Sequence, residues 1–187
     1  LLDESGSDTY RGDQFVQGVA AWGIAVHADL SGNDVYEARL MSQALAMPGG
    51  AGWLINGSGN DRYYSKGKLP TSYQDAGIFD SWSQACGLGF RGLESGGAAL
   101  FFDGSGTDRY EAGNFSQGGG YYFGTGMFRD GGSENDTYIG SHYNQGFAAH
   151  QALGFFEEMG GNDFYTTRHA VAQGTSWDEA VTAFIDH

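Results

Sequence analysis

Asn56-Gly-Ser-Gly-Asn-Asp-Arg-Tyr63 and Asp103-Gly-Ser-Gly-Thr-Asp-Arg-Tyr110 are two copies of one turn-and-strand segment, and the Asp-x-Tyr that closes it recurs along the whole chain. The copies are Asp8/Tyr10, Asp34/Tyr36, Asp61/Tyr63, Asp108/Tyr110, Asp136/Tyr138 and Asp163/Tyr165, at spacings of 26, 27, 47, 28 and 27 residues. A fixed period of that size means one supersecondary unit stacked on itself, each copy burying its apolar side against the next. Five residues before most motif aspartates stands a further acid or amide: Asp3, Asp29, Asn56, Asp103 and Glu158, with Asp130 six before its partner. After the motif comes Gln with Gly or Ala, as in Gln17-Gly18, Gln43-Ala44, Gln84-Ala85, Gln117-Gly118, Gln145-Gly146 and Gln173-Gly174. A bulky pair such as Leu54-Ile55, Phe101-Phe102 or Phe184-Ile185 then leads to the next turn acid.

Each unit thus reads as turn, short strand (Asp-x-Tyr), bend, short strand around Gln, bend, and a third strand ending in the bulky pair. The runs are rich in Tyr, Phe, Val and Ala and bounded by Gly and Asn, the punctuation of strands. Gly at this density would cost a helix about 1 kcal/mol per interior copy. Only the segment Ser176–Val181 looks helix-like, and it falls where a third strand belongs. The fold class is therefore all-β, a parallel β-solenoid with six coils of about 27 residues and three short strands per coil. The coils span 3–28, 29–55, 56–102, 103–129, 130–157 and 158–185 of a single domain, 1–187. Either handedness fits this pattern.

The third coil is longer than the others, with one insertion between Tyr63 and Gln84 and a smaller one around 91–97. Both bulge from one coil and are expected to be neighbours in space. The chain stops at the phase where it began and has no clear capping repeat. It is thus expected to be a segment of something longer, or to associate end to end with further copies, because an uncovered solenoid end exposes unpaired strand groups.

Composition narrows the classes of function. Lys and Arg number 9 against 23 Asp and Glu, a formal charge of −14 with no basic cluster. Nucleic acids and anionic membranes are poor partners for such a surface, and cations are good ones. No apolar run approaches the length of a membrane span. Aromatics at 15% argue for packed structure in spite of 33 glycines. A single cysteine, Cys86, excludes an intrachain disulfide.

Stacking puts equivalent residues about 4.8 Å apart. The motif aspartates then form a column, with the five-earlier acids beside it, and each neighbouring like pair costs about 0.9 kcal/mol even in water. Backbone donors, the turn amides Asn33, Asn60, Asn135 and Asn162, or bound cations must offset this. The tyrosines are expected to stack as core with hydroxyls at the polar corner, and the glutamines to bond amide to amide along the axis. His27 falls in or beside a column otherwise filled by Leu or Phe; its coil is one residue short, so an outward rotation is expected.

The two segments quoted first resemble the calcium-binding nonapeptide of RTX β-roll proteins, G-G-x-G-x-D-x-U, over about eight residues of each coil. They depart from it in having one motif per coil, an acid or amide at the first Gly, and Tyr at U. The resemblance implies Ca²⁺ held at the Asp corner, with Asp3, Asp8, Asp29, Asp34, Asn56, Asp61, Asp103, Asp108, Asp130, Asp136, Glu158 and Asp163 as the ligand set. The alternative is that these acids make Asx-turns to their own backbone.

The expected function is that of a structural, adhesive or fibre-forming repeat protein of bacterial type, secreted or at the cell surface, with a glycan or cell-surface partner. The alternative is a carbohydrate-active β-helix enzyme, a lyase or hydrolase, using the coil-three insertions. There Lys66, Lys68 and Tyr73 accompany the candidate catalytic set Asp75, Asp80, Arg91 and Glu94, since paired carboxylates can cleave a glycosidic bond.

Overall fold

The computed structural model describes residues 1–73 and 76–187. The chain winds as a parallel β-solenoid with no helix among the described residues. The bulky-pair strands form a seven-stranded sheet, the long sheet: Leu2–Asp3, Ile24–Asp29, Ala51–Asn56, Ala98–Asp103, Thr125–Asp130, Leu153–Glu158 and Val181–Asp186. The Asp-x-Tyr strands form the six-stranded tyrosine sheet, from Thr9–Arg11 to Phe164–Thr166. Six coils separate the seven strands of the long sheet, as the period requires.

The middle strand is divided. One short strand precedes the Gln (Leu40–Ser42, for example) and another follows it (Leu45–Ala46), and the two kinds belong to separate sheets. The cause is the Gln itself, which takes a left-handed backbone at Gln17, Gln43, Gln84, Gln117, Gln145 and Gln173, with φ between 49 and 62°. The residue two before it does the same: Phe15, Met41, Trp82, Phe115, Tyr143 and Val171. Such a conformation costs a non-glycine residue about 1–2 kcal/mol. Stacking offsets this, because the corner bonds to its own copy in the next coil. Gln84 Nε2 donates to Gln43 Oε1 at 3.0 Å, Gln117 to Gln84 at 3.1 Å and Gln173 to Gln145 at 3.2 Å. Gln43 Nε2 also donates to the carbonyls of Tyr36 and Tyr64. The amide ladder read from the sequence is present over these links.

Two aromatic columns meet edge to face inside the coil. Tyr36, Tyr63, Tyr110 and Tyr138 are fully buried, stacked at 4.7 to 5.0 Å. Phe101, Phe128, Phe156 and Phe184 stack similarly at 4.8 to 5.1 Å. Small residues oppose them where sheets come close. A Cβ on Gly126 would lie 2.2 Å from the Gly119 carbonyl, so only glycine fits.

Two expectations need correction. Ser176–Val181 is strand, bend and strand: Thr175–Trp177 pairs with Phe147–Ala149, and Val181 begins the last strand of the long sheet. Parallel pairing supplies hydrogen bonds that an isolated helical turn cannot match. His27 does not rotate outward. It is buried in register with Leu54, its ring edge-on to Tyr10 at 4.5 Å. Burial holds its pKa down at about 4, so the ring packs as a neutral aromatic.

The insertions lie together. Leu69–Pro70 pairs antiparallel with Phe79–Ser83, and Phe90 bridges Glu94 across a tight turn. They adjoin a second apolar cluster, in which Trp82 stacks on Phe115 at 3.8 Å and Phe115 on Tyr143 at 4.9 Å.

Candidate functional site

Each motif aspartate turns inward and spans two coils. The N–H of Asp8 donates to Asp34 Oδ1 at 2.7 Å, that of Asp34 to Asp61, Asp61 to Asp108 and Asp108 to Asp136 at 2.6 Å, and Asp136 to Asp163 at 2.7 Å. One carboxylate oxygen per coil therefore fixes the register. Beside this ladder runs an amide one, in which Asn33, Asn60 and Asn135 accept from the backbone of the next coil at 2.8 Å.

The turn acids sit between the ladder and the tyrosine hydroxyls. Tyr63 and Tyr110 both donate to Asp103 Oδ2, at 2.7 and 3.1 Å, and Tyr138 to Asp130 Oδ2 at 2.6 Å. Tyr10 donates to Asp29 at 2.7 Å. Asp3 and Asp29 also accept the N–H two residues on, the Asx-turn anticipated as an alternative.

What remains unsatisfied is the second oxygen. Asp103 Oδ1, Asp108 Oδ2, Asp130 Oδ1, Asp136 Oδ2, Asp34 Oδ2 and Asp163 Oδ2 are buried without a hydrogen-bond partner. They bring acids together in groups whose ligand atoms lie within 4.8 Å of one another: Asp61, Asp103 and Asp108; Asp108, Asp130 and Asp136; Asp136, Glu158 and Asp163; and, at the first coil, Asp3, Asp8 and Asp29. The first three groups share Asp108 and Asp136 and so form one continuous run of acids.

The electrostatics follow. Burial first, then the neighbouring carboxylates, pushes Asp108 up to about 10. Burial likewise raises Asp61 to about 7, Asp103 and Asp136 to about 6, and Glu158 to about 7. Asp130 is driven well above the carboxylate range by burial and by Asp103. A buried carboxylate without donors costs several kcal/mol, so such a run holds protons or cations.

Asn56 marks the exception. Its Nδ2 donates to Asp61 Oδ2 at 2.7 Å and to the Tyr63 hydroxyl at 2.8 Å. Where the turn position carries an amide, the motif aspartate is satisfied without an added charge. Ten of the twelve residues of the expected ligand set thus fall in these acid groups; Asp34 stands outside them and Asn56 enters as a donor.

The expected catalytic set is dispersed by comparison. Tyr73, Asp80 and Arg91 line one groove of about 480 Å³ between the insertions, with Trp82, Phe90 and Phe115. Asp80 is buried and accepts from Asn114 Nδ2 at 3.2 Å, and its burial raises its pKa. Glu94 stays on the exposed turn and Asp75 lies outside the described residues. Lys66 pairs with Glu111 and Lys68 with Asp13, on the tyrosine-sheet side. The left-handed aromatic column of Phe15, Trp82, Phe115 and Tyr143 escaped sequence reasoning. Its signal, an apolar residue two before each Gln, is present in the repeat.

Comparison with protein families, curated proteins and solved structures finds no match for this chain.

Proposed function

We propose that this chain is a structural element, a rigid acidic solenoid that serves outside the cell as an adhesive or fibre-forming segment and whose buried acids are compensated by calcium. The observation that carries the reading is the row of buried carboxylate oxygens without donors at Asp103, Asp108, Asp130 and Asp136. Asp61, Asp103 and Asp108 would hold one ion; Asp108, Asp130 and Asp136 a second; Asp136, Glu158 and Asp163 a third. Calcium takes about six to eight oxygens, of which the three carboxylates of each group contribute one apiece, and turn carbonyls and water would supply the rest. The RTX-like turns at 56–63 and 103–110 support calcium over other cations, and millimolar extracellular calcium suits modules of modest affinity. A bound ion supplies positive charge between coils. The chain's own groups do the rest: Oδ1 atoms hold register and tyrosine hydroxyls orient the turn acids.

The test is thermal unfolding at pH 7.5 in chelator and in calcium. Ligand at about 100 times its Kd stabilises by about 2.7 kcal/mol per site, a rise of roughly 5–10 °C for a chain of this size. Equal melting temperatures would mean that protons alone compensate the column, much as the Asn56 amide does for Asp61, and calcium would be discarded.

The groove between the insertions favours one second reading, a carbohydrate-active site. Tyr73, Trp82 and Phe90 offer ring faces and Asp80 a buried acid. If neither cleavage nor a change in Trp82 fluorescence appears across a panel of acidic and neutral glycans, that reading fails.

A further inference from the structure

The outward face of the long sheet is apolar across its length. Parallel register aligns Val26, Trp53, Leu100, Met127, Phe155 and Ala183 into one row along the solenoid axis. None is buried: Met127 is 47% exposed, Val26 39% and Trp53 37%. The row on one side begins at Ile24, 76% exposed, and carries nothing more polar than Thr125. The row on the other side holds Arg129 and Glu157, the only charges on this face among the described residues, and they bond each other at 3.3 Å. Such a face is not a default of the fold. The outward face of the adjoining tyrosine sheet carries Arg11, Glu37, Arg62, Arg109 and Glu111.

We infer that this face is an interface on which a second copy of the chain packs, sheet against sheet about a two-fold axis. Charge selects the occupant. The chain carries −14, so two copies repel over most of their surfaces. The long sheet is a broad neutral surface on which they can meet, and it offers a basic or acidic partner nothing to pair with. Size agrees. Six strands at about 4.8 Å, each with three outward residues about 6.7 Å apart, cover roughly 550 Å² in flat projection. Two facing copies bury about 1,100 Å², above the roughly 1,000 Å² at which specific interfaces begin. An exposed apolar patch of this extent otherwise marks an interaction site or an aggregation liability, and sheets that meet face to face interdigitate such side chains at about 10 Å. The inference rests on the outward face alone and is independent of what compensates the acids inside.

Sedimentation of the chain at micromolar to millimolar concentration in chelator tests it. The expected result is a reversible dimer that Met127→Glu weakens at least 100-fold, because each copy must then desolvate a carboxylate within the apolar contact. Leu93→Glu, on the exposed coil-three turn at 82% exposure, should leave the dimer unchanged. Circular dichroism separates loss of pairing from loss of fold. Met127→Cys gives a second check, because Cys86 is buried and only the new thiol can react with a short bis-maleimide. A monomer at millimolar concentration overturns the inference. So does a dimer that survives Met127→Glu, or a Met127→Cys protein that does not cross-link as a dimer.

Discussion

Asp108→Asn removes one titratable acid from the centre of the acid run and leaves its shape intact, so it isolates the electrostatics. Asp108 belongs to two of the acid groups, and its folded pKa is pushed up to about 10 by burial and then by Asp103. In metal-free protein at pH 7.5, folding must protonate a side chain that titrates near 3.8 when unfolded. A difference of 3.7 between pH 7.5 and 3.8 is worth about 5 kcal/mol against folding. Asparagine avoids this. Its carbonyl still accepts from the Asp61 N–H, and its amide faces the acids as Asn56 does toward Asp61. Since the neighbouring acids share protons with Asp108, part of this cost is redistributed among them, and the net gain should be about 2–4 kcal/mol, a rise of roughly 5–12 °C in chelator. Asp108→Ala should gain less than Asp108→Asn, because it strands the Asp61 N–H at a cost of about 1–3 kcal/mol. In calcium the wild type should recover most of the difference while the Asn variant responds less. Differential scanning calorimetry with and without chelator reads all three. If Asp108→Asn melts at or below the wild type in chelator, the account of the acid column is wrong.

The pH dependence of metal-free protein should run against the usual trend. Asp61, Asp103, Asp136 and Glu158 have folded pKa values raised to about 6–7, so the folded state binds more protons than the unfolded one. Stability is then greatest below about pH 4 as far as these groups are concerned, and is lost as pH rises through 6–7. His27, lowered to about 4, acts oppositely between pH 6.5 and 4, and is outweighed by these four and by Asp108, which is raised further still. Melting in chelator should therefore be higher at pH 5 than at pH 8; the reverse order would contradict the shifts. Tyr110→Phe keeps its stacked ring but removes the donor to Asp103 Oδ2, and should cost about 1–2 kcal/mol in denaturant unfolding. Gln84→Leu breaks two links of the amide ladder at a left-handed corner and should cost about 2–4 kcal/mol; a loss below 1 kcal/mol would show the ladder to be ornamental.

The periodicity was enough to read the solenoid, the tyrosine column and the acid column, because stacking turns every repeated residue into a row. What it could not reveal was the backbone at Gln and at the residue two before it. Left-handed φ at Phe115 or Gln117 is not a local preference; it follows from the pairing of one coil with the next. His27 was misplaced for a related reason. Counting residues suggested a rotated strand, whereas the register of Ile24–Asp29 with Ala51–Asn56 is unbroken. The acid groups were legible as two columns, but only the structure shows that one oxygen of Asp34, Asp108, Asp136 and Asp163 is committed to the backbone and the other is stranded. The insertions were correctly placed side by side, yet their sequence does not disclose that Lys66 and Lys68 face elsewhere.

The most direct test is the metal content of the folded chain. At equilibrium with millimolar calcium, equilibrium dialysis should find three calcium ions on each chain, one for each linked acid group between Asp61 and Asp163, with a weaker fourth at Asp3, Asp8 and Asp29. Asp108→Asn should lower the tightly bound number. A folded chain that carries no calcium under these conditions would contradict the account and leave the buried acids to protons alone.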